Sequence, residues 1–104
     1  MKKITFVLTS CGRIELLNKT LESFFKFNDY ALEKMYLVED SFNQNVYSEI
    51  KKRWGKKLTL LCNEKKKGQI KSIVETYKLV NTPLIFHCED DWEYTRKNFI
   101  QDCL

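Results

Sequence analysis

The sequence predicts an α/β fold, a Rossmann-like three-layer sandwich with a mostly parallel sheet of about four strands and helices on both faces. Three observations predict it. Short apolar runs alternate with helical stripes, in the order strand, helix, strand, helix, strand, helix, strand. The runs are near-continuously apolar, as strands covered on both faces are. The 104-residue chain holds 43% hydrophobic residues, enough for one core, and its 3 Gly and 1 Pro supply no linker to divide it.

Ile4–Leu8 is β-branched and apolar, and Thr9-Ser10-Cys11-Gly12 follows it as a turn. From Arg13 to Phe27 the period lengthens. Ile14, Leu17, Leu21, Phe24 and Phe25 fall at helical spacing, and Asn28-Asp29 ends that helix. Met35–Val38 is a second strand, stopped by Glu39-Asp40-Ser41. Val46, Tyr47, Ile50 and Trp54 form a weaker helical stripe, with Gly55 suited to its C-terminal cap. Leu58–Leu61 is a third strand, followed by the polar loop Asn63–Gly68. Ile70, Ile73, Val74, Tyr77 and Val80 make a third helix face, which Asn81-Thr82-Pro83 stops. Leu84–Cys88 is the fourth strand, ended by Glu89-Asp90-Asp91, and the last ten or so residues can begin a fourth helix.

Right-handed crossovers set the carboxyl ends of parallel strands along one edge, where open α/β sheets bind ligands. Thr9–Arg13, Glu39–Ser41, Asn63–Gly68 and Glu89–Asp91 are therefore expected at one crevice. Three adjacent carboxylates repel one another and need solvent, a partner or a metal. In extended backbone Glu89 and Asp91 project to the same side, roughly 7 Å apart. They can converge on a hard cation, Mg²⁺ or Mn²⁺, which would neutralise a diphosphate leaving group. A solvated acidic loop is the alternative.

The second acidic pair, Glu39-Asp40, can accept hydrogen bonds from a base or a ribose, although Asp40 or Ser41 capping the next helix is the plainer reading. Lys65-Lys66-Lys67-Gly68 opens a helix whose N-terminus attracts phosphate. No P-loop or G-x-G-x-x-G motif is present, which disfavours those two folds. Lys71 reaches either the crevice or solvent. His87, the one histidine, reads as a satisfied sheet residue, and Trp92 as core rather than a sugar-packing ring.

The net charge of +4 is mild, and the basic Lys51–Lys67 stretch reads as a solvated face. Nucleic-acid binding, with Trp54 interleaved among the lysines, is a rival that the acidic crevice disfavours. The four cysteines form no C-x-x-C pair, so no zinc site is expected. Cys62 and Cys88 read as buried reduced thiols, which points to a cytoplasmic location. No apolar run approaches the ~18 residues of a membrane span, and the N-terminal apolar run is too short for a signal peptide.

These pieces, in this order, resemble the N-terminal half of GT-A-fold glycosyltransferases, especially the large inverting family 2. The matching pieces are Val7–Arg13, the Leu- and Phe-rich Leu16–Phe27, Val38-Glu39-Asp40-Ser41, the stretch from Asn63 to Val80, and the D-x-D-like Glu89-Asp90-Asp91. The resemblance implies one incomplete GT-A domain over residues 1–104, with strand order 3-2-1-4. It implies a nucleotide-diphosphate sugar donor, a UDP-sugar, and a Mg²⁺ or Mn²⁺ cofactor. Thr9, Ser10 and Arg13 would line the nucleotide pocket. Glu39 would contact the base with Asp40 beside it, and Lys71 would lie near the nucleotide. Glu89 and Asp90 would approach the ribose or the waters of the metal, and Asp91 would ligate the metal. No residue matches the family's general base, so no catalytic residue is assigned and the acceptor is open. A non-catalytic nucleotide-binding module would carry the same motifs. An unpaired sheet edge predicts self-association.

Overall fold

Eight elements alternate along the chain in the computed structural model, which describes residues 2–63 and 69–104, with the side chains of residues 69 and 70 outside that description. They are β1 (Ile4–Ser10), α1 (Ile14–Phe27), β2 (Lys34–Glu39), α2 (Gln44–Trp54), β3 (Thr59–Cys62), α3 (Gln69–Tyr77), β4 (Leu84–Glu89) and α4 (Phe99–Cys103). All pairings are parallel and the strand order is β3-β2-β1-β4, as the resemblance implied. β1 is buried along its whole length because it lies inside the sheet and is covered on both faces.

Alternation along β1 divides the molecule into two layers. Ile4, Phe6 and Leu8 face α1, where the Phe6 and Phe24 ring centroids lie 4.3 Å apart. α2 lies beside α1. Trp54 stacks on Phe25 at 5.7 Å, and its indole N–H donates to Asn18 Oδ1 at 2.9 Å. The C-terminal segment closes the same face over β4. Tyr94 and Phe99 meet at 4.4 Å and both pack near Phe86, with Ile100 buried beneath. Thr5, Val7 and Thr9 point to the opposite face, where α3 packs on β1 and β2.

α3 is where the structure departs furthest from the sequence reading. Within its apolar stripe Val74 is 50% and Tyr77 37% exposed and Ile73 is half-buried, while Ser72 and Thr76 are buried. The sheet beneath is itself partly hydroxylic, with Thr5 and Thr9, so a Ser/Thr helix face fits against it. Its polar groups are bonded: the Thr76 hydroxyl donates to the Ser72 carbonyl at 2.8 Å, and the Asn63 amide donates to Ser72 Oγ at 2.8 Å. Val80 falls beyond the end of the helix.

Smaller differences have local causes. Gly55 does cap α2, but in a right-handed conformation (φ −61°, ψ −18°). Glycine is needed there for space, since a Cβ would sit 2.5 Å from the Lys51 carbonyl oxygen. The cap that opens α2 is Asn43, whose side chain accepts from the amides of Asn45 and Val46, so neither Asp40 nor Ser41 serves as cap. Cys62 ends the edge strand β3 and is exposed, whereas Cys88 is buried, and all four thiols are free. Trp54 is buried, so the aromatic among the basic residues of α2 belongs to the core.

Candidate functional site

β1 lies between β2 and β4 with their carboxyl ends in register: Ser10 pairs with Glu39, and Thr9 with Glu89. Adjacent strands are about 4.8 Å apart, so the tips of β2 and β4 are separated by roughly 10 Å across β1. The expected meeting of strand ends at one edge is therefore present. The pleat then sorts the acidic residues onto two sides of that edge.

On the α1 side, Glu39 is 1% exposed and binds three donors. Its Oε1 accepts from the Ser10 hydroxyl at 2.5 Å, and its Oε2 from the amides of Gly12 and Ser41 at 2.9 and 3.0 Å. The amide nearest the turn belongs to Gly12, whose φ of +80° suits glycine. Asp90 braces the same loop from the other flank. Its side chain, 2% exposed, takes a two-pronged contact from Arg13, through Nε at 3.2 Å and through Nη2. The hydrogen bond to Asp90, reinforced by its charge, raises the Arg13 guanidinium above its ordinary pKa. Thr20 of α1 ties down the following turn, its hydroxyl 2.9 Å from the Asp90 carbonyl and 2.6 Å from that of Trp92. An open depression of about 390 Å³ runs along Gly12–Leu16 beside this brace.

On the α3 side, a chain of hydrogen bonds leads from Tyr77 to Glu89. Tyr77 Oη is 2.7 Å from His87 Nδ1, His87 Nε2 is 3.3 Å from Thr9 Oγ1, and Thr9 Oγ1 donates to Glu89 Oε2 at 3.1 Å. Thr9 has one proton and gives it to the carboxylate, so His87 donates to the Thr9 oxygen from Nε2. His87 is thus the satisfied sheet histidine that its position suggested. Desolvation raises the Tyr77 hydroxyl pKa, and Glu89 adds to the effect.

A second buried group joins β2, β3 and α3. The Asn63 amide donates to Asp40 Oδ1 at 2.6 Å and to Ser72 Oγ at 2.8 Å. Tyr47 donates to the Asn63 carbonyl at 2.8 Å and accepts from the Phe42 amide at 2.9 Å. The sequence reading put Asn63 in a loop at the crevice and Tyr47 in the apolar stripe of α2, but named neither as a site residue. Asn63 offered one signal, a polar residue directly after an apolar strand.

The nine candidate residues therefore fall into distinct settings. Ser10, Arg13, Glu39 and Asp90 hold one another around the β1–α1 loop. Thr9 and Glu89 share a hydrogen bond on the other side, and Asp40 is buried against Asn63. Lys71 and Asp91 are exposed. Trp92, expected in the core, is 44% exposed because the chain turns outward after Asp91 before Tyr94 re-enters the aromatic cluster. The lysine-rich loop, Lys65–Gly68, lies outside the described residues. Among the described residues, no group of three or more His, Cys, Asp or Glu side chains is placed to hold a metal ion.

Comparison with solved structures supports the same architecture. Mannosyltransferase PcManGT from Pyrobaculum calidifontis, solved with GDP-Man and Mn²⁺, matches 95% of this chain at a TM-score of 0.80 and 13% identity. The likeness is one of fold: the four-stranded parallel α/β sheet in order 3-2-1-4 is shared with that mannosyltransferase chain. TarS from S. aureus matches 97% of the chain at a TM-score of 0.72 and 20% identity, including a form solved with UDP. The chain spans 30% of the PcManGT chain and 18% of the longer TarS chain, so it corresponds to a minor part of each. No family model and no curated protein matches it. No helix among the described residues is long and apolar enough to cross a membrane.

Proposed function

We propose that this GT-A-like chain is the donor-binding domain of a glycosyltransferase, holding a nucleotide-diphosphate sugar, a UDP-sugar, together with a divalent cation. The observation that carries the reading is the register of β2, β1 and β4, which gathers Thr9, Glu39 and Glu89 at one carboxyl edge. The solved neighbours add support, one holding GDP-Man and Mn²⁺ and another UDP.

In this reading Asp91 and Glu89 hold Mg²⁺ or Mn²⁺. Asp91 is exposed and Glu89 partly so, and both offer hard oxygen. Two carboxylates suit a cation that keeps several waters and accepts phosphate oxygens. Such an ion neutralises charge on a departing diphosphate. Thr9 orients Glu89 through its hydroxyl. Ser10, Glu39, Arg13 and Asp90 fix the β1–α1 loop against which the nucleotide lies, and Arg13, 55% exposed, keeps a guanidinium face toward solvent. Asp40 and Lys71 flank the nucleotide from the β2 tip and from α3. Trp92 offers an exposed ring beside the cation carboxylates for the sugar. The four free thiols suit the cytoplasm.

Titration calorimetry with UDP and GDP, with and without Mn²⁺, tests this. Binding that requires Mn²⁺ is expected. Failure of both nucleotides to bind in the presence of Mn²⁺ refutes it. A donor-hydrolysis assay alongside distinguishes a transferase domain from a binding module, which would bind without turnover.

A further inference from the structure

Phe42 follows the β2 tip and combines two features that rarely coincide. Its φ is 51°, in the left-handed region, where a bulky side chain is strained and Gly or Asn is at ease. The residue is 59% exposed, so no core packing offsets that strain. The conformation is enforced from both sides. Glu39 holds the Ser41 amide at 3.0 Å, Asn43 is locked as the cap of α2, and the Phe42 amide itself donates to the buried Tyr47 hydroxyl. A strained residue held by buried partners, with a large apolar side chain in water, marks a position kept for something outside the fold.

We infer that Phe42 is the stacking platform for the nucleobase of the donor, a specificity contact of the site proposed above, on which this inference rests. A nucleotide sugar is linear, with base, ribose, diphosphate and sugar in succession. If the cation and diphosphate sit at Glu89 and Asp91 beyond β4, the base must extend across β1 toward β2, whose tip is roughly 10 Å away. Phe42 and Asp40 lie at that end, and Trp92 lies at the other. An aromatic face accepts any base, while the neighbouring polar groups choose among them.

The full chain is titrated with UDP plus Mn²⁺ and, as a base-free control, with pyrophosphate plus Mn²⁺. In Phe42→Gly the UDP affinity should fall about tenfold, the typical value of one base–aromatic stack. Pyrophosphate affinity should stay unchanged. The melting temperature should not fall, because glycine relieves the backbone at φ 51°. Phe42→Trp should retain UDP affinity. Unchanged UDP affinity in Phe42→Gly overturns the inference while leaving the donor-binding reading intact. An equal loss for UDP and pyrophosphate also overturns it, since the effect would then come from the loop and not from the ring. If the unmodified chain binds pyrophosphate but not UDP, or binds neither, the donor-binding reading fails and this inference falls with it.

Discussion

Glu39 separates two readings of an acid at a strand end, and its replacement decides between them. The carboxylate is 1% exposed and satisfies the Ser10 hydroxyl and the amides of Gly12 and Ser41. In Glu39→Ala the hydroxyl can rotate to another partner, but the two amides cannot. A buried donor left unsatisfied costs about 1–3 kcal/mol. Both bonds are only part-buried, so the pair lies toward the low end, about 2–3 kcal/mol in total. That is a sizeable share of the ~5–15 kcal/mol stability of a domain. At about 4–8 °C per kcal/mol for a domain of this size, the melting temperature should drop by roughly 15 °C. Glu39→Gln keeps one acceptor oxygen and turns an NH₂ toward Ser10, whose hydroxyl can accept, so its loss should be smaller, about 1–2 kcal/mol. Urea denaturation followed by tryptophan fluorescence measures both, with the buried Trp54 as reporter. A loss below about 1 kcal/mol in Glu39→Ala, with nucleotide affinity falling instead, would show that Glu39 serves the ligand and not the loop.

The remaining expectations concern the other charged and thiol groups. Asp91→Asn should change stability by less than about 0.5 kcal/mol, as an exposed site does, yet reduce Mn²⁺-dependent UDP affinity about tenfold or more in calorimetry. Arg13→Ala should lower the melting temperature more than Asp90→Ala. The first strands a carboxylate that is 2% exposed, the second only a guanidinium that is 55% exposed and readily hydrated, so the reverse order would refute the brace. Thiol labelling at pH 8 should modify Cys11, Cys62 and Cys103 and spare Cys88 until the chain unfolds. Burial pushes the Cys88 thiol from 9.0 up to about 12, so its contribution to stability is full below pH 9 and is lost as pH rises toward 12. Cys88→Ala should flatten the stability curve over that window relative to the unaltered chain.

The layered fold was legible because its strands are buried on both faces and must therefore be apolar throughout. Ile4–Leu8 and Leu84–Cys88 could be little else, and the period change from Ile14 onward marked α1 as clearly. α3 was legible as a helix but not in its orientation. Periodicity reports which side of a helix is apolar, and here the side against the sheet carries Ser72 and Thr76. Of the apolar stripe, Val74 is 50% and Tyr77 37% exposed, with the Tyr77 hydroxyl reaching His87 of the edge strand β4. Self-association through that exposed surface is a proposal for sedimentation to test. At the site, sequence order located the acids at the right edge. It could not tell which of them were already occupied, because Ser10 and Glu39 meet only after β1 and β2 pair, 29 residues apart in sequence.

The pleat itself sorts the acids onto the two sides of the sheet edge. Ser10 and Glu39 share one side of the sheet with the α1 N-terminus, so their polar groups, with Asp90 following β4, meet the β1–α1 loop. Thr9 and Glu89 share the other side with α3 and the exposed edge. Glu89-Asp90-Asp91 is thus not one cluster of equals. Asp90 spends its charge inward on Arg13, which relieves the repulsion among the three and leaves Glu89 and Asp91 as a spaced pair. A buried central acid in Glu89-Asp90-Asp91 makes structural sense on these grounds. The middle residue anchors the turn, and the two proposed cation ligands, Glu89 and Asp91, flank it. Inserting one residue between Cys88 and Glu89 would exchange these sides, setting Glu89 against Arg13 and moving Asp90 to the place of Asp91, one of the two proposed cation ligands. Such an insertion should abolish Mn²⁺-dependent binding even where the chain still folds, whereas binding that survives it would break the link between pleat and site.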